Sequence, residues 1–292
     1  MTRSYQFWLV VLFVLLMSGC RMAGDQDEQP QVSVSIVPLA YFTDQLTDEG
    51  VSVNVMVPPG ASHATYSPST SQLQALSDAD IYFRIGHLGY EQVWMDRLAE
   101  LGQDMEITDL SANVDLIRGE PVDHGDHVHE GGVDPHIWMS PATMLELLPV
   151  FKQTLSETYP AMTDQISANH DSLYERVQDL HTGMLQLSEE LEQKSFMIFH
   201  PALTYLARDY GLEQIPIEYE GKEPTPGRLR RIIDQARATE IPVIFIQEEF
   251  DERSAELVSR ESGASLIQIN PMAYNWFEGM EEIMDAFKDN LR

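Results

Sequence analysis

The histidines are the side chains of this sequence best suited to chemistry, and four of the nine stand where a loop leaves a strand-like segment. His63 lies in the loop Pro58-Pro59-Gly60-Ala61-Ser62-His63, and His87 follows the apolar stretch Asp80 to Ile85. His136 sits in Asp134-Pro135-His136-Ile137-Trp138, and His200 directly follows Ser195 to Phe199. One histidine at a strand end is usually a cap or a core residue. Several in the same topological position point instead to a metal ion, because neutral imidazoles converging on one point suit zinc, a borderline ion that accepts nitrogen donors in a tetrahedral shell. Paired-carboxylate chemistry is the rival pattern, with Glu218, Glu220 and Glu223 around Lys222. No nucleophile or oxyanion donor accompanies them, so they read as a loop near a cleft or a docking surface.

The elements that would position these histidines alternate in type. Val32 to Val37 is a strand-like run, a helical pattern covers Ala40 to about Thr47, and Val51 to Val57 alternates as a second strand. A helix over Pro68 to Leu76 and the strand Asp80 to Ile85 follow. Such alternation predicts an α/β fold of parallel sheets with helices on both faces, whose strand carboxyl ends line the ligand crevice. The segment 123–132 (DHGDHVHEGG) cannot bury a core and is expected to be a mobile loop carrying His124, His127 and His129.

Helices are then expected from Pro141 and from about Ala161. The second has apolar residues at Ile166, Leu173, Val177, Leu180, Met184, Leu187 and Leu191, the stripe of one long amphipathic helix. Beyond it the alternation resumes: the strand before His200, a helix over Leu203 to Tyr210, a strand at Ile215 to Ile217 and a helix from Pro226 to Thr239. A strand at Val243 to Ile246, a helix over Ser254 to Glu261 and a strand at Ser265 to Ile269 complete it. The charge runs Gln247 to Arg253 and Glu278 to Glu282 read as solvated faces. The organisation is therefore an N-terminal β/α lobe over 31–160, a connecting helix over 161–193 and a C-terminal β/α lobe over 194–292.

The amino terminus concerns location. Arg3, the apolar run Phe7 to Met17 and the small residues before Cys20 have the form of a secretory signal over 1–19 that ends in a lipobox. Cys20 would carry the lipid, and 20–30 would be a polar tether. With a single cysteine the chain has no internal disulfide, so its fold must rest on its core. Eighteen Lys and Arg against 47 Asp and Glu, a formal charge of -29, argue against nucleic acid as a partner.

Five further segments sharpen this reading: Val57-Pro58-Pro59-Gly60-Ala61-Ser62, Asp134 through Pro141, His200 through Leu212, Glu220 through Pro226, and Asn270 through Trp276. In this order and spacing they resemble the zinc/manganese-binding solute-binding proteins of ABC transporters, over essentially all of the chain after the tether. The resemblance implies two β/α lobes joined by one rigid helix, with metal held in the cleft between them. It implies a monomeric, exported, lipid-anchored protein, on the periplasmic side or the cell surface, that hands its ion to a permease without catalysis. His136 and His200 match ligand positions, and His124, His127 and His129 resemble the metal-collecting loop of zinc-binding members.

Two departures bear on the site. The family's first ligand loop usually reads Gly-x-x-Pro-His, whereas here His63 comes one residue early and Ala64 stands at the usual ligand place. Either the loop bends to present His63, or His87 substitutes. Asn270 stands where many members have an aspartate, which disfavours manganese and leaves zinc as the expected cargo. Asn270, Gln247 and Glu248 are the candidates for the fourth ligand. A manganese carrier and an adhesin-like surface protein are the alternatives. A zinc hydrolase is a further one, against which stands the lack of a His-Glu-x-x-His helix.

Overall fold

The computed structural model describes residues 29–63, 66–94, 105–119, 122–123, 128–129, 132–218 and 224–292. The signal segment, Cys20, Ala64, His124 and His127 lie outside the described residues. Among the described residues no helix is long and apolar enough to cross a membrane.

The first sheet consists of β1 (Gln31–Ile36), β2 (Ser52–Val57), β3 (Ile81–Arg84) and β4 (Glu106–Asp109), all parallel, in the order β2-β1-β3-β4. β1 is central, and Val32 through Ile36 are buried on both faces, as helix-covered parallel strands must be. Helix α1 (Val37–Thr47) makes the crossover to β2, and α2 (Thr70–Ser77) that from β2 to β3. Ser69 opens α2 with a capping box, its hydroxyl accepting from Gln72 N–H while the Gln72 side chain accepts from Ser69 N–H.

Helices α3 (Pro141–Thr158) and α4 (Thr163–Glu190) pack on one another, and α4 also packs on α1. With 28 residues, α4 is about 42 Å long at 1.5 Å per residue. Its stripe of Ile166, Leu173, Val177, Met184 and Leu187 is buried as its spacing requires.

The second sheet repeats the first: β7 (Ser195–Ile198), β8 (Glu213–Pro216), β9 (Val243–Gln247) and β10 (Ser265–Ile269), parallel, in the order β10-β9-β7-β8. Helices α5 (Thr204–Asp209), α6 (Pro226–Ala238) and α7 (Arg253–Ser262) connect them. A last helix, α8 (Trp276–Asn290), buries Trp276, Phe277, Met280, Ile283 and Phe287. The charged run Glu278 to Glu282, expected as a solvated face, is thus the outer side of a helix whose inner side is core.

One apolar cluster runs without interruption from the first sheet through α4 to Phe245, Phe287 and Ile269 of the second lobe. A separate cluster lies on the other face of the second sheet and contains Met197, Phe199, Ile244 and Val258. The lobes therefore share a core. Polar bonds reinforce it: Trp138 Nε1 donates to Pro271 O (2.8 Å), Trp276 Nε1 to Trp138 O (2.8 Å), and Tyr274 Oη to Asp44 Oδ2 (2.7 Å).

Of the histidine-bearing segment 123–132, only residues 123, 128–129 and 132 are described. Its flanks pair as a short antiparallel ribbon, β5 (Val122–Asp123) with β6 (Val128–His129), placing His129 opposite Val122. A backbone ladder needs no apolar core, and the composition had indicated only that no core could form there.

Candidate metal centre

Each of three histidines reaches the cleft by a different local device. After β2 the chain turns at Pro58-Pro59-Gly60, with Ala61 N–H donating to Pro58 O at 3.2 Å and Gly60 at φ +75°. That left-handed position suits glycine, and the turn directs His63 inward, where it is 4% exposed. His136 is held by Asp134, whose Oδ1 accepts from both His136 N (2.9 Å) and His136 Nδ1 (2.8 Å). Tyr205 of the second lobe in turn donates to Asp134 O at 2.8 Å.

His200 follows β7 and is clasped by Gln247 at the end of β9. His200 N donates to Gln247 Oε1 (3.3 Å), and Gln247 Nε2 donates to His200 O (2.7 Å). Extension of the β7–β8 pairing sets Glu218 beside it, through Glu218 N–H to Phe199 O at 3.1 Å. The Glu218 carboxylate accepts from His200 Nδ1 at 2.6 Å while only 4% exposed. Phe250 stacks on the His200 ring, 5.1 Å between centroids and 24° between planes.

The three Nε2 atoms converge. His136 Nε2 lies 2.9 Å from His63 Nε2 and 3.2 Å from His200 Nε2, and the donor atoms of all three fall within 4.8 Å of one another. Ligands bound tetrahedrally to zinc at 2.0–2.1 Å stand about 3.3 Å apart, so the cluster needs little adjustment to hold one ion. Carboxylates at the Nδ1 atoms of His136 and His200 set the tautomer that leaves Nε2 as the donor. His63 Nδ1 is buried and has no such partner among the described residues.

Burial disfavours the charged form of two of the donors, His63 and His136. Burial, then the neighbouring imidazoles His136 and His200, push the His63 pKa well below its ordinary value. Burial also lowers His136, against the opposing pull of Asp134. Burial alone would raise Asp134, but the charge and hydrogen bonds of His136 outweigh it and hold that carboxyl below the usual range. Trp138, fully buried, packs against His63 and His136 at 6.0 and 5.3 Å.

The other sequence candidates fall elsewhere. His87 lies outside the cluster: its loop hangs on the buried Glu91 carboxylate, which accepts from the N–H groups of Ile85, Gly86 and Leu88 (3.1, 2.7 and 3.1 Å). Gly86, at φ +96°, sits so close to Asp109 and Ser111 that a Cβ would come within 2.6 Å of the carboxylate. The loop is thereby committed to the β4 side of the sheet, and Asp109, Arg84 and Arg118 are the charges His87 feels. Gln247 uses its amide to clasp the His200 backbone, accepting at Oε1 and donating from Nε2. Asn270 is exposed and its Oδ1 accepts from Met272 N at 3.0 Å, while Glu248 is exposed to solvent.

Sequence reasoning passed over the roles of Asp134 and Glu218. The two-residue step from Asp134 to His136 was a readable signal. Glu218 had none, because only the β7–β8 register brings it to His200.

A cavity of about 280 Å³ lies between the lobes, lined by Pro59, Gly60 and Ala61 from the first and Glu248, Glu249, Asn270 and Met272 from the second. Glu249 is half-buried. Burial raises its pKa, against a hydrogen bond from its own backbone N–H and the smaller effect of His200.

Comparison with known proteins agrees with this architecture. The family model described as zinc-uptake complex component A, periplasmic (ZnuA) matches residues 32–290. The zinc-binding lipoprotein AdcA of Streptococcus pneumoniae (strain ATCC BAA-255 / R6) is 26% identical over 96% of this chain, which spans only 59% of AdcA. The manganese-binding lipoprotein MntA of Halalkalibacterium halodurans is 26% identical, with 89% of this chain and 86% of MntA aligned. A crystal structure of ZnuA superimposes with a TM-score of 0.82 at 31% identity, covering 91% of this chain and all of that one. The laminin-binding protein Lmb of Streptococcus agalactiae, described as having adhesin and metal-transporting activity, superimposes with a TM-score of 0.79 at 21% identity over 91% of this chain and all of Lmb, a likeness of fold. With a family model matched along nearly its whole described length and three imidazoles gathered in the inter-lobe cleft, the chain belongs to the ZnuA family of periplasmic zinc-uptake components.

Proposed function

We propose that this protein captures a divalent transition-metal ion, zinc in the first place, and delivers it to the permease of an ABC transporter. The observation that carries the reading is the convergence of His63, His136 and His200 on one buried point, two of them oriented by carboxylates. Three imidazoles favour zinc over manganese, which takes oxygen donors more readily, and the neutral Asn270 adds to that preference. The manganese-binding relative supports manganese as the second cargo.

The protein binds and releases without turnover. Asp134 and Glu218, the carboxylates at the histidine rings, are engaged with ligand Nδ1 atoms, an orienting task rather than general-base work on a bound water. The relatives' description as lipoproteins supports export and anchoring through Cys20. The shared core and the Trp138, Trp276 and Tyr274 bonds favour small lobe movements, so release is coupled to docking on the permease.

The test is a zinc titration of the chain in competition with a chromophoric chelator. Tight binding is expected for the parent and strongly weakened binding for His136→Ala and His200→Ala. Unchanged affinity in both variants would sink the proposal, and hydrolysis of ester or peptide substrates by the zinc form would point to the enzyme class instead.

A further inference from the structure

One surface of the second lobe reverses the charge of the rest of the protein. Helices α6 and α7 carry Arg228, Arg230, Arg231, Arg237, Arg253 and Arg260 against only Asp234, Glu256 and Glu261, in a chain of 18 Lys and Arg and 47 Asp and Glu. The two helices pack on each other. Arg237 pairs with Glu261 (2.8 Å) and Arg253 with Asp251 (2.7 Å). Arg230 and Arg231, exposed on the second turn of α6, pair with no carboxylate among the described residues, Asp234 included. Glu220 and Glu223, which precede α6, lie outside the described residues.

This face has two features that a merely solvated helix surface does not need. A cavity of about 320 Å³ opens between the helices, walled by Leu229 of α6, by Arg253, Ser254 and Leu257 of α7, and by Asp251. Arginines around a recess with apolar walls are the composition of a protein contact, in which an anchoring side chain fills the recess. The second feature is position. Arg228 donates from Nε to Ile217 O (3.5 Å) and from Nη2 to Glu218 O (3.3 Å). The first turn of α6 is thereby fastened to the strand end whose Glu218 carboxylate orients His200, so the face adjoins the metal centre.

We propose that the Arg230 and Arg231 face of α6, with the recess beside Leu229, is where the chain docks on an acidic segment of the permease. An apolar side chain of that segment would enter the recess. This rests on the reading of the protein as a carrier that delivers its ion to a permease. A sheet of anionic headgroups would also attract the arginines, but it has no side chain for the recess between Leu229 and Leu257. It would also repel the acidic remainder of the chain. Through Arg228, a load placed on α6 by docking bears on the strand end that orients His200.

The experiment uses cells of the source organism whose only copy of the full chain is the parent or a variant. Arg230→Glu/Arg231→Glu is compared with Arg230→Ala/Arg231→Ala and with Lys288→Glu, which reverses an exposed cation on α8 of the same lobe. Glutamate is a good helix former and suits the first turns of a helix, so the fold should hold; melting of the purified chains checks it. Chelator competition should give both arginine variants the parent's zinc affinity. Zinc uptake under limitation should slow about tenfold or more in the charge reversal and less in the alanine variant, as expected when a charge-steered contact is disrupted. Lys288→Glu should take up zinc like the parent. In a second arm, Asp234→Cys keeps both arginines and supplies a thiol between them for a photoreactive label, and mass spectrometry of the adduct should find an ABC permease subunit attached at position 234.

Parent-like uptake in the charge reversal overturns the docking face, as does equal slowing in Lys288→Glu, which would make the effect one of overall charge. A label that captures only lipid makes the face a membrane contact and overturns it as well. His136→Ala, run alongside, tests the carrier reading separately. Parent-like zinc binding there refutes the histidine site, whereas lost binding there with parent-like uptake in the charge reversal leaves the site standing and removes only the docking face.

Discussion

Glu218 offers the clearest test of how the surroundings of the histidines set affinity. Its carboxylate is 4% exposed and accepts from His200 Nδ1 at 2.6 Å. A charge-assisted hydrogen bond contributes about 1.5–3 kcal/mol, and each 1.4 kcal/mol is tenfold in affinity. Glu218→Ala should therefore weaken zinc binding roughly 10–100-fold, the range expected for an outer-shell carboxylate. Glu218→Gln keeps an acceptor at the same reach but removes the charge, so its loss should sit near the lower end, about tenfold. The backbone bonds of residue 218, to Phe199 O and from Arg228 Nη2 (3.3 Å), survive either change, so the fold should hold. Chelator-competition titration measures the affinity, and melting of the metal-free variants checks the fold. Parent-like affinity in Glu218→Ala, with an unchanged melting temperature, would refute the claim that this carboxylate prepares His200 as a donor.

Two further outcomes are expected. Trp138→Phe leaves Pro271 O without its donor at the junction of the lobes, which should cost about 1–3 kcal/mol in denaturant unfolding; an unchanged midpoint would mean that the bond does not hold the lobes together. The metal-free protein should lose stability as pH falls. The folded-state pKa values of His63 and His136 lie below their ordinary 6.5, so below that pH the unfolded chain binds more protons and stability declines on acidification. Scanning calorimetry between about pH 5.5 and 7.5 tests the sign, and a melting temperature that rises on acidification would contradict it.

What could be read from the sequence was whatever local pattern encodes. The strand–helix alternation specified two parallel sheets, and the four-and-three spacing along Ile166 to Leu187 specified the long helix, because burial on one face imposes those periods. Strand β4 was not read, its segment Glu106–Asp109 being short and mostly polar. Helix α8 was obscured by its acidic outer face. His136 and His200 were legible as candidates because a strand's carboxyl end and the Asp-Pro-His step are features of consecutive residues.

Tertiary structure alone decided the remainder of the site. Sequence left His63 and His87 as rivals; the Gly60 turn sends one inward, while Glu91 and the close approach of Gly86 to Asp109 commit the other to the far side of the sheet. Gln247, a candidate ligand from sequence, clasps the His200 backbone in the fold. Glu218 is 18 residues beyond His200 in sequence, and only strand register brings it to the imidazole. Local periodicity reports which face of an element is buried. Which donors meet across the cleft depends on the pairing of distant strands, and no short-range pattern records that.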